Sequence, residues 1–324
     1  MIAPLRLTRF AFAGFVLTLV APFANASCGS AFCTVNTNWS LQGIWTQAGP
    51  HVDLRFEYID QDQPMSGSRK VAVGEVPAHH DEVKTINRNV ITTLDYGINE
   101  NWGITAVIPV VDRSHEHIHN HHGEKLLETW SFTELGDIRV QGRYQAYFGE
   151  QTPQRAGFGG ATVGLILPTG ATDITNGAGA VAERSLQPGT GTTQLAFSAY
   201  YRQALGDYDS SWYVQAAAAL PLNYYQDYKP GNVFALDVGY RYDVNDALGL
   251  NLQLNYVYKN RDKGAEAEPE DSGGQTLSVA PGFTYAFSPT LQMYTFVSLP
   301  VYRYVNGVQL TADWSAAMGV SVQF

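Results

Sequence analysis

The sequence predicts an all-β chain that forms a single antiparallel transmembrane β-barrel of about twelve strands. Three observations predict it. The first is alternation. Reading back from the end, Phe324, Val322, Val320, Met318, Ala316, Trp314, Ala312 and Leu310 are apolar, while Gln323, Ser321, Gly319, Ala317, Ser315, Asp313, Thr311 and Gln309 are polar or small. A period of two is a strand with two unlike faces. The second is composition. Charged residues make up only 15% of the chain, against ~25% in ordinary soluble domains, while 19 Tyr, 15 Phe and 31 Gly are present. No stretch after the start approaches the ~20 apolar residues of a membrane-spanning helix. A barrel reconciles these facts, because one face of each strand meets lipid and the other a wet lumen. The third is that short and long connections alternate along the chain. The alternative for the final stretch taken alone is an edge strand of a soluble β-sandwich.

The chain begins with a secretion signal: Arg6 and Arg9, an apolar run from Phe10 to Val20, and the cleavage site Ala24-Asn25-Ala26. A lipoprotein signal is the alternative raised by Cys28, but Asn25 stands where a lipobox wants Leu. The expected divisions are a signal peptide over 1–26, an N-terminal periplasmic or lumenal segment over 27–49, and the barrel over 50–324. Cys28 and Cys33, at the start of the mature chain, are expected to pair with each other in an exported protein; a redox or metal role is the alternative. Ser27 to Gly49 has no clean periodicity and carries Trp39 and Trp45. It is expected to fold against the periplasmic mouth of the barrel, with a mobile tail as the alternative.

The strands follow in order. Val52, Leu54, Phe56 and Tyr58 oppose Asp53, Arg55 and Glu57 in the first. The second carries Val90 to Ile98 and the third Trp102 to Val110, joined by Asn99-Glu100-Asn101. In the fourth, Ile138 to Phe148 alternate with Asp137, Arg139, Gln141, Arg143 and Gln145. Phe158–Leu167, Leu195–Tyr201 and Trp212–Leu220 form the fifth to seventh. The eighth, Phe234–Tyr242, sets Asp237 and Arg241 opposite its apolar row. Leu248–Tyr258, Leu277–Phe287, Leu291–Tyr304 and the closing strand complete the set. Connections after even strands are short and rich in turn formers; those after odd strands are mostly longer and polar. That is the asymmetry of periplasmic turns against external loops, and an even count puts both termini in the periplasm. Trp102, Trp212, Tyr240, Tyr242, Tyr256 and Tyr258 gather near strand ends, as an interfacial girdle requires. Arg55, Arg139, Arg143, Asp237, Arg241 and Asp313 fall in the polar phase and are expected to face the lumen.

A closing strand that ends on an aromatic residue resembles the last strand of bacterial outer-membrane barrels. Strands end in an apolar-Pro step at Ile108-Pro109, Leu167-Pro168, Leu220-Pro221 and Leu299-Pro300, the second continuing Leu-Pro-Thr-Gly. With the twelve-strand pattern and terminal Phe324, these resemble the outer-membrane family named for the meta-pathway of phenol degradation. The resemblance implies a channel-like barrel for small hydrophobic or aromatic compounds. The family has no defined site motif, so it assigns no functional residue. Physically, Pro lacks a backbone donor and marks a strand end or kink.

Seven of the eight histidines lie in two stretches read as external loops: His79 and His80 in the first, and His115, His117, His119, His121 and His122 in the second. Imidazole suits Zn, Cu or Ni, and in an extended segment His115, His117, His119 and His121 share a face. The alternative is a solvated polar loop. No strand interior is expected to carry a histidine, so the Ser/Thr–His pairing of a hydrolase is not anticipated and no enzyme activity is expected. Once Arg6 and Arg9 leave with the signal, 18 of the 20 basic residues face 30 acidic ones, which argues against nucleic-acid binding. The expected partners are the lipid bilayer, the barrel-assembly machinery and a small-molecule solute, in the outer membrane of a Gram-negative bacterium. The leading reading is a channel or transporter-like barrel for small solutes, with no certain cofactor. A divalent-metal-binding or translocating barrel and a structural or adhesion barrel are the alternatives.

Overall fold

The computed structural model describes residues 48–76, 80–121, 124–149, 157–205 and 209–324. Residues 1–26, expected to be a signal peptide, and Cys28, Cys33, Trp39, Trp45, His79 and His122 lie outside the described residues. The strands are β1 (Gly49–Gly67), β2 (Arg69–Lys70), β3 (His80–Gly97), β4 (Trp102–His121), β5 (Glu124–Leu135), β6 (Ile138–Phe148), β7 (Gly157–Leu167), β8 (Gln194–Leu205), β9 (Ser210–Pro221), β10 (Val233–Asp243), β11 (Leu248–Lys259), β12 (Gly274–Ser288) and β13 (Leu291–Gln323). They form one antiparallel sheet that closes where β13 meets β1, with His51 opposite Gln323. The Phe324 amide donates to the Pro50 carbonyl across this seam.

β13 spans 33 residues, which would be ~110 Å if straight. It doubles back instead at Asn306-Gly307, where Gly307 adopts a φ of 58°. Residues 291–305 pair with β12 and residues 305–323 pair with β1. The Gln323 amide returns to the Thr290 carbonyl, so the two ends of the element meet. A ring in which every neighbour is antiparallel needs an even number of staves. Both arms of β13 together with β1, β3, β4 and β6 to β12 make twelve; β2 and β5 stand outside the ring.

The two faces are inverted relative to a soluble sheet. Leu54, Phe56, Val238, Leu250, Leu252, Leu254 and Val320 are exposed on the outside, while Asp53, Asp237, Asn251, Gln253, Asn255 and Ser321 are buried within. Aromatic pairs sit on the outer face near both ends: Trp102 with Tyr144 and Tyr201 with Trp212 toward the termini, Tyr58 with Trp314 and Phe234 with Tyr258 toward the other end. Inside, large rings lie flat on glycines of the neighbouring strand. Tyr213 covers Gly239 and Tyr294 covers Gly319, where a Cβ would collide with the ring.

Three strands reach further than their sequence pattern suggests. Their outward rows turn polar at Asp60, Arg88 and Asp112, where Lys84–Asp60 and Arg88–Asp112 pairs lie on the outer face. The hydrocarbon zone ends there, yet β3 starts at His80 and β4 runs on to His121. Beyond the lipid, β5 pairs with the outer half of β4, while the inner half of β4 pairs with β6. β5 was not anticipated, because Glu124–Leu135 carries charge and hydroxyls on the face that no lipid covers. Pro109 stands at this exchange of partners, and its carbonyl accepts the Gly136 amide at 2.9 Å. Pro221 ends β9, Pro168 follows β7, and Pro300 sits at a register shift.

The final strand departs from strict alternation. The register with β1 shifts between Ile59/Gln61, inserting Asp313 and Trp314 opposite Asp60. Past this bulge the phase changes, so Leu310 and Ala312, expected on the lipid face, are buried. Asp313, expected in the lumenal row, is 48% exposed at the outer rim between Arg303 and Lys70.

Two outcomes follow. Val238→Arg should destabilise the barrel by ~2–4 kcal/mol and Gln141→Arg, on a lumenal position, by far less; equal costs in a denaturant titration would contradict the phase. The second concerns Asp271, in the outer connection after β11, which accepts the Val308 amide at 2.8 Å. Burial pushes its carboxyl up from 3.8 to about 7. A raised folded-state pKa stabilises docking below pH ~4 and loses that contribution as pH rises through about 7. The exchange protection factor of the Val308 amide should therefore fall between pH 5 and pH 8; a flat profile would contradict it.

Candidate functional site

The inward phase of β1, β3, β4 and β6 to β10 lines a lumenal cavity of about 520 Å³. Two arcs of its wall differ. On β1, β3 and β6 stand Arg55, Glu57, Asp95, Arg139 and Arg143, with Asp137 just before β6; on β7 to β10 Ile166, Ala196, Ala217, Ala219, Val233 and Ala235 stand among Thr162, Ser198, Gln215 and Asp237. The difference is already in the sequence, where β9 carries Ala216–Ala219 and β6 alternates Arg139, Gln141, Arg143 and Gln145.

The charges are organised. Arg55 pairs with Glu57 at 3.0 Å and Arg143 with Asp95 at 3.0 Å. Asp137 accepts from the Gly170 amide and from Thr190, and Asp237 from Asn255 at 2.8 Å. Arg139 is exposed to the lumen and forms no ion pair among the described residues. Of the residues expected to face the lumen, Arg55, Arg139, Arg143 and Asp237 line this cavity. Arg241 lies toward the termini, bonded to Asp243 and Thr284. Asp313 is at the rim, as described above.

The outer mouth is built by residues 168–193, between β7 and β8, which fold onto the lumenal side of β4 and β5. Trp130 Nε1 donates to the Ala180 carbonyl at 3.0 Å, and Leu186 packs fully buried with Trp130 and Ala182. Arg113 donates through Nη1 to the Leu186 carbonyl at 2.6 Å and through Nε to Asn87 Oδ1 at 2.7 Å. Asn87 donates to Gln61, and Gln61 to the Leu310 carbonyl. A chain of hydrogen bonds thus runs from the closing strand to this loop. Burial pushes the Arg113 guanidinium down to about 10, which leaves it charged at neutral pH. A desolvated cation needs its acceptors, so Arg113 holds the loop firmly. Arg184 of the same loop lies over the rings of Tyr225 and Tyr228, which joins it to the connection after β9.

The second histidine stretch is strand, not external loop, because β4 continues past the lipid with β3 and β5 on its two sides. His115 and His117 are buried on the lumenal side, and His119 shares their phase. They meet Glu82, Glu128 and Glu183. His51, in β1, also faces inward, beside Asp95 at 3.5 Å. The expectation that no strand interior carries a histidine is therefore corrected. His80 opens β3 opposite His119, and His121 closes β4. Arg113, Trp130, Glu128 and Glu183 were missed by sequence reasoning. Trp130 and Glu128 carried the signal of alternation with Phe132, but residues 168–193 carry no periodic signal.

A twelve-stave barrel with an apolar exterior, a charged and polar interior and an inward-folded loop defines a channel-type protein of the outer membrane. The family model described as "Putative MetA-pathway of phenol degradation" matches residues 80–316, and the chain belongs to that family. Among solved structures, an outer membrane channel from Pseudomonas putida F1 is similar at 14% identity and a TM-score of 0.64, covering 86% of this chain and 96% of that one. The Ralstonia pickettii toluene transporter TbuX is similar at 11% identity and a TM-score of 0.46, covering 88% and 92%. The KdgM porin is similar at 11% identity and a TM-score of 0.44, covering 85% and 99%. No curated protein sequence matches the chain.

Removal of the Arg113 anchor tests the mouth. Arg113→Ala should raise single-channel conductance at least about two-fold, since a buried loop contact released from its acceptors loses of order 1–3 kcal/mol. Wild-type conductance in a variant that keeps its heat-modifiable mobility would contradict this.

Proposed function

We propose that this outer-membrane channel passes small solutes that combine an aromatic or other apolar body with an anionic group. The observation that supports this is the divided wall of the cavity. On β7 to β10 small apolar side chains, set among Thr162, Ser198, Gln215 and Asp237, accept a ring, while Arg139 on the other arc forms no ion pair among the described residues. A neutral hydrocarbon would leave that cation without a counter-charge; a bare inorganic anion would leave the apolar arc wet. The family match and the likeness to the outer membrane channel from Pseudomonas putida F1 support a transport reading over an enzymatic one. The same proposal includes export through cleavage after Ala26, pairing of Cys28 with Cys33 in the mature chain, and insertion by the barrel-assembly machinery through the strand that ends in Phe324.

The test is the reversal potential in planar bilayers under a sodium benzoate gradient. The wild type should favour benzoate over sodium, and Arg139→Glu should reverse that preference. Equal selectivity in both proteins would sink the proposal.

A further inference from the structure

We propose that Glu82, His115 and His117 of the barrel wall, with Glu183 of the inward loop, form a binding site for a divalent transition metal of the Zn²⁺ class that fastens the loop to the wall. This goes beyond the solute reading and does not rest on it. Ligand atoms of Glu82, His115 and His117 all lie within 4.8 Å of one another, and all three residues are buried. His115 Nε2 is 3.2 Å from His117 Nδ1 and 3.7 Å from Glu82 Oε2, and His117 Nδ1 is 3.9 Å from Glu183 Oε1. Ligand atoms around a tetrahedral zinc, each ~2.0–2.1 Å from the ion, stand ~3.3 Å apart. These three separations lie within an ångström of that spacing.

The outer contacts of the two rings fit the same assignment. His115 Nδ1 lies 2.8 Å from Thr85 Oγ1, and His117 Nε2 lies 3.1 Å from Glu128 Oε2. Each ring can therefore donate its N–H outward and turn its other nitrogen, bearing a lone pair, toward the shared centre. A carboxylate holding the far N–H of an imidazole is the usual support for a metal-bound histidine. Trp130 covers both rings, with centroids 5.9 Å from His115 and 4.9 Å from His117, and shields the site from water. Two imidazoles with two carboxylates suit a borderline ion such as Zn²⁺, whereas Mg²⁺ and Ca²⁺ want an all-oxygen shell. The ion would tie β3 and β4 to the loop at the point where it covers the mouth.

The experiment uses the full mature chain refolded in detergent, stripped with chelator and titrated with ZnCl₂ by calorimetry. The remaining histidines of the two stretches are removed first, in a background of His79→Gln, His80→Gln, His119→Gln, His121→Gln and His122→Gln. That background should still bind one Zn²⁺ per chain and should not bind Mg²⁺. Adding His117→Ala should weaken Zn²⁺ about a hundred-fold, and Glu128→Gln about ten-fold. Glu82→Gln is the second variant should His117→Ala lose heat-modifiable mobility, and it should weaken binding as well. Zn²⁺ should also slow amide exchange across residues 180–186, and Glu183→Gln should abolish that slowing. Loss of stoichiometric Zn²⁺ binding in the background would overturn the site, as would binding unchanged by His117→Ala or Glu82→Gln. Zn²⁺ binding with no effect on exchange in residues 180–186 would overturn the fastening role.

Discussion

Everything in this fold depends on one constraint: in hydrocarbon, no backbone amide or carbonyl can be left without a partner. A sheet satisfies it only by closing, and the seam between β1 and the second arm of β13 is where this chain closes. Closure makes the stave count even and sets both ends of the barrel together, with the Phe324 amide on Pro50. It also locks the phase of every strand, since a slip of one residue would turn a whole row from lipid to lumen. The bulge opposite Asp60 lies above the hydrocarbon, where a change of phase puts no charge into lipid.

The lumen follows from the same alternation. Each outward apolar row forces an inward row that must be polar or small, and those polar groups then satisfy one another. Arg143 with Asp95, Arg55 with Glu57 and Asn255 with Asp237 are local solutions of this kind. Above the membrane the need changes. There β3, β4 and β5 continue without lipid against their outer face, and their inward face is covered by residues 168–193. Arg113, Asn87 and Gln61 turn that contact into a chain of hydrogen bonds. The mouth is thus narrowed by a loop bound through buried polar groups, which are expensive to leave unpaired.

Most of the barrel was legible in the sequence because its signal has a period of two and repeats around the ring. Leu248–Tyr258, for example, alternates buried residues with exposed or half-buried ones throughout β11. The signal fails where lipid ends. His80–Arg88 and Asp112–His121 have polar residues on both faces, so they read as loops although both are strand. The bulge at Asp313 and Trp314 escaped because an inserted residue leaves the apparent alternation of Leu310, Ala312 and Trp314 intact while changing what those residues face. Of the candidate site, the lumenal positions Arg55, Arg139, Arg143 and Asp237 were readable from phase alone. The carboxylates that meet His115 and His117 come from β3, β5 and the connection after β7, contacts between distant parts of the chain that no local pattern encodes.

The central claim is that the barrel encloses a passage whose outer mouth is narrowed by residues 168–193. Planar-bilayer conductance of a chain in which residues 173–187 are replaced by a short Gly-Ser linker tests it most directly. A several-fold rise in single-channel conductance, with heat-modifiable mobility intact, is the result expected. A correctly folded variant with the conductance of the intact chain would contradict it.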